Sequence, residues 1–190
     1  MAAKKSGNRL RIIGGQWRSR FLPFPDVDGL RPTTDRVRET VFNWLQPVVP
    51  GARVLDLFAG SGALGFEALS RGAQNLTLLE MNAKAASQLK DNVKTLNTSD
   101  AQVVQTDALN WLAQCDQQFD LIFLDPPFNK GLLPKCLELI ESQNLLSKNA
   151  WVYVESEQDL NKLNLPSSWR LHRDKKAGQV RLCLYQNQGS

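Results

Sequence analysis

The residues best suited to chemistry are Asp125-Pro126-Pro127-Phe128, which directly follow the apolar run from Phe119 to Leu124. Two consecutive prolines fix the backbone and remove two amide donors, so the nearby carbonyl groups are rigidly aimed and free to accept hydrogen bonds from a ligand. The Asp125 carboxylate and the Pro126 carbonyl could accept both hydrogens of an exocyclic base amine and so direct its lone pair at an electrophile. Phe128 would stack on the base. We predict a catalytic site here; the alternative is a surface turn that closes a strand.

A glycine-rich turn after an earlier apolar run is a candidate cofactor site. The run from Arg53 to Phe58 leads into Ala59-Gly60-Ser61-Gly62-Ala63-Leu64-Gly65, where glycine permits a tight turn and close approach of the backbone to a ligand. Gly60 to Gly65 satisfies the GxGxxG pattern, and Glu80 stands 20 positions after Gly60, as in a dinucleotide fingerprint. A nicotinamide or flavin dinucleotide is therefore one candidate ligand, and a turn without any ligand is another.

The charge of Asp56 favours a different ligand for this turn. A carboxylate at the end of the strand would face the position that a dinucleotide pyrophosphate must occupy, and the two negative charges would repel. S-adenosylmethionine has no phosphate, and its cationic ammonium group is a natural partner for Asp56. Glu80 would accept the two ribose hydroxyls. Asp107 could accept from the adenine amino group with Ala108 beside the ring, although Asp107 could equally be only a helix N-cap.

These residues must be positioned by an alternation of strands and helices that begins at Ala52. Apolar, β-rich runs alternate with helical stretches as far as Glu155, which predicts a parallel sheet with helices on both faces. The predicted helices cover 63–70, 83–96, 109–113 and 132–145, and the predicted strands cover 53–58, 76–80, 103–106, 119–124 and 151–155. Residues 169–173 and 180–185 flank Lys175-Lys176-Ala177-Gly178 and predict an antiparallel hairpin added to the sheet.

The front of the chain differs in charge and composition. Residues 1–40 contain nine lysines and arginines against four acidic residues, whereas the rest contains 14 basic and 15 acidic residues. Residues 9–22 predict two short strands around a Gly-Gly turn, and a helix capped by Thr33 or Thr34 then carries Val37, Val41, Trp44 and Leu45 at helical spacing. We predict one compact unit in which residues 1–50 pack on a catalytic domain formed by residues 51–190.

The basic hairpin is the candidate nucleic-acid surface. Its arginines alternate with apolar residues, a mixture suited to phosphate contact and to stacking on exposed RNA bases. The alternative is that its aromatic residues pack on the domain while the arginines are only solvated. The candidate RNA-binding residues are Arg9, Arg11, Trp17, Arg18 and Arg20.

Several other chemistries are excluded by composition. The chain has one histidine, His172, so neither a histidine metal cluster nor a Ser-His relay has the residues it needs. Its three cysteines are widely spaced and form no CxxC pair, which predicts small buried residues in a reducing compartment. No apolar run approaches the length of about 20 residues that crosses a bilayer. We expect a soluble, cytoplasmic monomer with no membrane partner and no metal.

Taken together, the motifs resemble the class I, Rossmann-like methyltransferases that carry an (Asp/Asn)-Pro-Pro-(aromatic) motif on an amine substrate. The similarity is closest to the RsmD family of 16S ribosomal RNA guanine-N2 methyltransferases, and it spans nearly the whole chain. The motifs that carry it are Arg11-Ile12-Ile13-Gly14-Gly15, Arg31-Pro32-Thr33-Thr34-Asp35-Arg36-Val37-Arg38-Glu39, Asp56-Leu57-Phe58-Ala59-Gly60-Ser61-Gly62 and Asp125-Pro126-Pro127-Phe128.

The resemblance implies a seven-stranded sheet with a reversed last strand, and methylation of the 2-amino group of a guanine in 16S rRNA within an assembling 30S particle. It also implies that residues 31–39 lie over the methyl-donor pocket. The catalytic residues would be Asp125, Pro126, Pro127 and Phe128, with S-adenosylmethionine as cofactor and S-adenosylhomocysteine as product. The cofactor-binding residues would be Thr33, Thr34, Arg36, Asp56, Phe58, Gly60, Ser61, Gly62, Glu80, Met81, Asp107 and Ala108.

Two other functions remain open from the residues alone. A DNA adenine-N6 methyltransferase uses the same tetrapeptide, although this chain leaves little length for a region that reads a DNA sequence. A ribosome-assembly factor could keep the fold for RNA binding without transferring methyl groups. Guanine and adenine both present an exocyclic amine, so the choice of guanine comes from the resemblance.

Overall fold

The computed structural model describes residues 8–30, 33–127, 130–157, 160, 163 and 165–189. Nine strands and five helices lie in these ranges. The strands are β1 (Arg9–Arg11), β2 (Phe21–Pro23), β3 (Arg53–Asp56), β4 (Asn75–Glu80), β5 (Ala101–Gln105), β6 (Phe119–Leu124), β7 (Leu146–Ser156), β8 (Trp169–Ala177) and β9 (Val180–Asn187). The helices are α1 (Asp35–Leu45), α2 (Ala63–Ser70), α3 (Ala83–Leu96), α4 (Ala108–Leu112) and α5 (Leu132–Ser142).

Seven of the strands form one sheet in the order β5-β4-β3-β6-β7-β9-β8. The pairs from β5 to β7 are parallel, and β9 runs antiparallel to both β7 and β8. This arrangement confirms the predicted seven-stranded sheet with a reversed last strand. The chain moves outward from β3 to β5 and then crosses back to β6, so the strand order reverses between β3 and β6, where open parallel sheets bind their ligands.

The core lies on both faces of this sheet. On one face, alternate strand residues such as Val54, Leu78 and Phe123 pack with α1, α2, α3 and the N-terminal strands. On the other face, residues such as Leu55 and Ile122 pack with α4 and α5. Such alternation follows from the twofold repeat of side chains along a strand.

Local caps explain where the helices begin and end. The Asn82 side chain accepts from the amides of Lys84 and Ala85 at the start of α3, and Asn97 ends this helix in the left-handed region at φ 52°. The Thr34 side chain accepts from the Val37 amide at the start of α1. Polar caps of this kind satisfy amide groups that the first helical turn leaves unpaired.

The N-terminal strands β1 and β2 pair antiparallel, but the connection between them is not the predicted tight Gly-Gly turn. Residues 12–20 form a longer connection that packs on α2, where the Gln16 amide donates to the Ser70 carbonyl at 2.8 Å. At Gly15, which has φ +75°, an added Cβ would lie 1.8 Å from the same carbonyl oxygen. The glycines therefore permit close docking on α2 rather than a two-residue reversal.

A buried carboxylate joins this connection to the helices. Glu67 is fully buried in α2 and accepts hydrogen bonds from the amides of Ile13 and Gly14, each at 2.8 Å. Arg38 of α1, which is 1% exposed, lies 3.5 Å from Glu67, and Arg71 lies 2.7 Å from its other oxygen. One carboxylate thus links the N-terminal segment, α1 and α2.

Three further predictions concern residue environments. All three cysteines, Cys115, Cys136 and Cys183, are buried and unpaired, as predicted. No helix in the described part of the chain is long and apolar enough to cross a membrane.

The predicted end of α5 at Leu145 and the predicted start of β7 at Trp151 were wrong. Helix α5 ends at Ser142, and β7 already begins at Leu146, which pairs with Phe119.

Candidate active site

A cavity of about 1230 Å³ opens at the carboxyl ends of the parallel strands. It is lined by residues that follow β3, β4, β5 and β6, by the segment before α1, and by the β8–β9 hairpin. It therefore includes the point between β3 and β6 where the strand order reverses, the expected position of a ligand site in this architecture. The described residues contain no cluster of three or more His, Cys, Asp and Glu arranged to hold a metal ion.

Four carboxylates from adjacent strands face this cavity. They are Asp56, Glu80, Asp125 and Glu155. Each of them stands two positions beyond a residue that packs on the α2 face of the sheet. Side chains two positions apart on a strand point to the same face, so the four carboxylates lie along one side of the sheet edge. The site has a strongly acidic floor and is built to receive cationic or hydrogen-bond-donating groups.

The glycine turn after β3 takes its shape from two positive φ angles. Gly60 has φ +53° and Gly62 has φ +79°, a region that other L-residues rarely adopt. A Cβ at Gly62 would lie 2.4 Å from the Phe66 ring. Gly60 lines the cavity, whereas Gly62 does not. Gly62 shapes the turn and the start of α2, and its contact with a cofactor stays a prediction.

Asp56 is the most buried of the four carboxylates, with 3% of its surface exposed. Burial raises the pKa of Asp56 to about 7, although hydrogen bonds from the backbone amides of Gly65 and Phe58 act in the opposite direction. The negative charge of Glu80 adds to the increase. A carboxylate held under these conditions gains stability when a cation binds next to it.

The Glu80 carboxylate is held by two backbone amides. Gly60 donates to Oε2 at 2.9 Å and Asn82 donates to Oε1 at 2.8 Å. These two bonds fix the carboxylate plane between the glycine turn and the start of α3. Each oxygen retains acceptor capacity toward the cavity, because a carboxylate has about four acceptor positions.

Asp107 and Ala108 line the cavity at the end of β5. Asp107 is also the N-cap of α4, since its side chain accepts from the Asn110 amide at 3.0 Å. The two interpretations of Asp107 are compatible, because the cap uses one oxygen. Met81, which is 70% exposed, and Phe58 and Ser61 complete this part of the wall.

The tetrapeptide site lies across the cavity from Glu80. Asp125, Pro126 and Pro127 all line the cavity, while Phe128 falls outside the described residues. Burial raises the pKa of Asp125 well above its usual range, and the charges of Glu155 and Asp56 raise it further. A carboxylate in such surroundings is a stronger base than an ordinary aspartate.

The segment before α1 and the first half of α1 line another side of the cavity. Thr33, Thr34 and Arg36 line it, together with residues 27–30. Lys175 of the β8–β9 hairpin donates to the Thr40 hydroxyl at 3.3 Å, which connects this segment to the far edge of the sheet. Two sides of the cavity mouth therefore consist of structure outside the parallel strands.

The predicted RNA-binding residues of the hairpin lie away from this cavity. Arg9, Arg11, Arg18 and Arg20 are exposed, and none lines it. Arg11 pairs with Asp35 at 3.1 Å, and Arg20 donates to the Thr95 carbonyl at 2.8 Å.

The prediction that Trp17 stacks on RNA is wrong for this structure. Trp17 is 9% exposed and belongs to the hydrophobic core, and its amide donates to the Ser70 hydroxyl at 3.0 Å. Burial of the indole against the domain stabilises the docked hairpin more than exposure would. The exposed aromatic residue of the hairpin is Phe21, at 57%.

Two acidic and three basic residues of the cavity wall were not predicted from the sequence: Asp28, Glu155, Lys130, Lys175 and Lys176. Glu155 is the penultimate residue of β7, close to the strand-end position that Asp56 holds in β3, and a search of all predicted strand ends would have found it. Lys130 follows the tetrapeptide, and Lys175 and Lys176 come from the predicted hairpin, whose fold over the cavity has no local sequence signal.

The strand order, the reversed β9 and the cavity at the switch point define a Rossmann-like methyltransferase. The family model described as Conserved hypothetical protein 95 matches residues 10–186, and the chain belongs to this family, the RsmD family.

Its relatives agree over nearly the whole length. Ribosomal RNA small subunit methyltransferase D of Escherichia coli strain K12 is 52% identical over 180 residues, covering 95% of this chain and 91% of the relative. The protein of the same name from Haemophilus influenzae is 48% identical, with 94% of each chain covered. The solved structure of yhhF from Escherichia coli is 51% identical with a TM-score of 0.89, covering 96% of this chain and all of that one.

Proposed function

We propose that this protein transfers a methyl group from S-adenosylmethionine to the exocyclic N2 amine of a guanine in 16S rRNA. The single observation that carries the proposal is the meeting of two half-sites in one cavity: Asp56 and Glu80 on one side, and Asp125 with Pro126 on the other. The names of the relatives support ribosomal RNA of the small subunit as the substrate.

The donor half-site suits S-adenosylmethionine by charge and by hydrogen bonding. Asp56 is a buried carboxylate that forms no ion pair with the described residues, and it would pair with the methionine ammonium group. Glu80, already oriented by Gly60 and Asn82, would accept from the ribose hydroxyls. Thr33, Thr34, Arg36, Phe58, Ser61, Met81, Asp107 and Ala108 would enclose the rest of the donor.

The acceptor half-site would activate a poorly nucleophilic amine. Bound S-adenosylmethionine supplies an electrophilic methyl group on a sulfonium. The Asp125 carboxylate and the Pro126 carbonyl would accept the two amine hydrogens, which directs the nitrogen lone pair toward that methyl carbon. Approximation and orientation of the two bound reactants would then provide most of the rate enhancement.

A proton must leave the amine after methyl transfer. Asp125 would accept this proton, and its raised pKa makes it a better acceptor than an exposed aspartate. Phe128 would hold the plane of the base by stacking. No histidine is needed for either step.

We propose that the exposed hairpin arginines Arg9, Arg11, Arg18 and Arg20 contact rRNA phosphates, and that residues 1–50 and 51–190 act as one unit. The protein would act as a cytoplasmic monomer on an assembling 30S particle. Arg11 already donates to Asp35, and Arg20 already donates to the Thr95 carbonyl. Each guanidinium still has further N–H donors that can reach phosphate oxygens.

The test is incubation of the protein with a labelled methyl donor and rRNA from cells that lack it, followed by mass mapping of the modified nucleoside. We expect one labelled guanine in 16S rRNA, with the methyl group on N2. Label on adenine, or on DNA instead of rRNA, would refute the proposed substrate. An absence of label with either nucleic acid, despite calorimetric binding of the donor, would favour a non-catalytic assembly factor.

A further inference from the structure

Glu155 is a cavity carboxylate that neither half-site described above uses. It is 9% exposed and lines the cavity at the end of β7. Among the described residues its one recorded hydrogen-bond donor is the Tyr153 hydroxyl, at 3.0 Å from Oε2. The hydroxyl fixes one oxygen, and the other is available to a ligand in the cavity.

The register of the sheet places Glu155 beside Asp125. Strands β6 and β7 are parallel, with Phe123 opposite Tyr153 and Leu124 opposite Val154, so Asp125 and Glu155 come next on the two chains. Neighbouring strands lie about 4.8 Å apart, and side chains at aligned positions point to the same face. A base amine held by Asp125 would therefore have Glu155 next to it.

We propose that Glu155 selects guanine by accepting the hydrogen on ring nitrogen N1, beside the amine that Asp125 and Pro126 hold. This inference rests on the proposed function and extends it to substrate specificity. Guanine presents N1–H and N2–H as adjacent donors, which two neighbouring carboxylates can accept. Adenine presents a lone pair at its N1, and a carboxylate facing it would repel. A buried polar group left unpaired discriminates strongly against the wrong base.

The test compares two bases that share the reacting amine. In an RNA fragment that contains the mapped target, guanine is replaced by 2-aminopurine, which keeps the 2-amine but lacks the 6-oxygen and has a bare nitrogen at N1; the Glu155 variant below separates the N1 effect from the loss of the oxygen. We expect kcat/KM to be about 10 to 100 times lower for 2-aminopurine, the range for one lost hydrogen bond to a charged group. Equal turnover of the two bases by the unmodified protein would overturn the inference without any substitution.

The Glu155→Gln variant should remove this preference. Glutamine can still accept from Tyr153, and its amide can donate to the bare N1 of 2-aminopurine, so the ratio of the two kcat/KM values should fall toward one. Glu157→Gln makes the same chemical change at an exposed position and should keep the ratio. A parallel fall for both bases in Glu155→Gln, with an unchanged ratio, would show only structural support and overturn the inference. A failure of guanine itself to react would instead refute the proposed function.

A second inference comes from the edge strand β8. Residues 170–176 are all exposed, and among the described strands β8 pairs only with β9, at the edge of the sheet. Its acidic residue, Asp174, is engaged by Arg181, whose Nε lies 2.8 Å from Oδ1. We call the remaining basic residues the β8 basic strand: Arg170, His172, Arg173, Lys175 and Lys176.

The β8 basic strand ends at the cavity, unlike the N-terminal hairpin. Lys175 and Lys176 line the cavity wall, and Lys130 lines it from the side of the tetrapeptide. We infer that the β8 basic strand binds the RNA backbone next to the target nucleotide. A row of cations that leads into an acidic pocket suits a substrate whose phosphates stay outside while its base enters, as base flipping requires.

The test is the salt dependence of binding to the same RNA fragment. Replacing Arg170, Arg173, Lys175 and Lys176 by glutamine should reduce the slope of log K against log salt by up to about 3, since each phosphate contact contributes about 0.7 to 0.9. The matched control replaces four exposed lysines on helices: Lys84, Lys90, Lys94 and Lys135. If the control lowers the slope as much as the β8 variant, or the β8 variant leaves it unchanged, the inference is overturned.

Discussion

The Glu67 carboxylate in α2 accepts a hydrogen bond from the Gly14 amide at 2.8 Å, across 53 positions of sequence. The same carboxylate faces Arg38, and both side chains are almost completely buried. The N-terminal segment is therefore held on the helix that starts at the glycine turn. Its docking is linked directly to the geometry of the proposed donor site.

Removing this carboxylate should destabilise the fold. Glu67→Ala leaves the amides of Ile13 and Gly14 without an acceptor and leaves the buried Arg38 with Asp35 as its remaining ion-pair partner, so we expect a loss of about 2–5 kcal/mol in the free energy of unfolding. Urea titration monitored by tryptophan fluorescence would measure it. Asp91→Ala breaks an exposed pair with Lys94 and should cost less than about 1 kcal/mol. Similar losses for the two variants would contradict the assigned role of Glu67.

Asp125→Ala should abolish methyl transfer and leave donor binding nearly intact. The reason is that Asp125 faces the acceptor half of the cavity, whereas Asp56 and Glu80 form the donor half. Labelled-methyl transfer measures the first effect, and calorimetry with the donor measures the second. Asp116→Ala, at an exposed loop position, should change neither. Undiminished turnover by Asp125→Ala would disprove its catalytic role.

Donor binding should weaken as pH falls below about 7. The free protein holds a proton on Asp56 below that pH, because burial raises the pKa of Asp56 to about 7, and a cation requires the ionised form. The dissociation constant should then rise by up to about tenfold per pH unit. Asp125 and Glu155 also have raised pKa values, so the Asp56 contribution is isolated by comparison with Asp56→Asn. An equally steep dependence in Asp56→Asn would assign the effect to another group.

The same residue should make the donor-free protein less stable at alkaline pH. Folding raises the pKa of Asp56 from 3.8 to about 7, so its favourable contribution is complete below pH 3.8 and is lost as pH rises to about 7. The ionised group then costs up to about 4 kcal/mol at pH 8. We expect Asp56→Asn to raise the free energy of unfolding at pH 8, with a smaller gain at pH 5. Equal effects at the two pH values would exclude this explanation.

The hairpin arginines should contribute to the electrostatic part of RNA binding. Replacing Arg9, Arg11, Arg18 and Arg20 by glutamine is expected to weaken rRNA binding and to flatten its salt dependence. Filter binding over a range of salt concentrations would measure both. Because Trp17 anchors the hairpin from within the core, these exposed substitutions should leave the melting temperature almost unchanged. A salt slope equal to that of the unmodified protein would indicate that other surfaces, such as β8, contact the RNA.

The sequence predicted most of the sheet because its signals there are local. The predicted bounds of α2, α3 and β6 match the structure, since glycine or asparagine stands at the N-cap of each helix and β6 is apolar except for Asp120. The start of β7 was missed because Leu146–Ala150 is mixed in polarity, and only pairing with β6 makes it a strand. The length of β8 has the same explanation, since β9 supports its charged residues.

The proposed site also contains residues that could be predicted from the sequence and residues that could not. The residues at strand ends could be found from the sequence, because parallel strands bring their carboxyl ends together. The burial of Trp17 could not, because its partner Ser70 is distant in sequence. The contact between Lys175 and Thr40 could not be predicted either, because the two residues are 135 positions apart in the sequence.

The docking of the hairpin on α2 also has a consequence for the order of events during synthesis. Residues 9–23 leave the ribosome before α2, because the Glu67 and Ser70 groups that hold them are made about 50 residues later. Two distant segments can pair only after both have been synthesised. The contacts between them must then offset the entropy lost in closing the intervening loop. Residues 9–23 of each nascent chain thus stay unanchored until α2 has emerged.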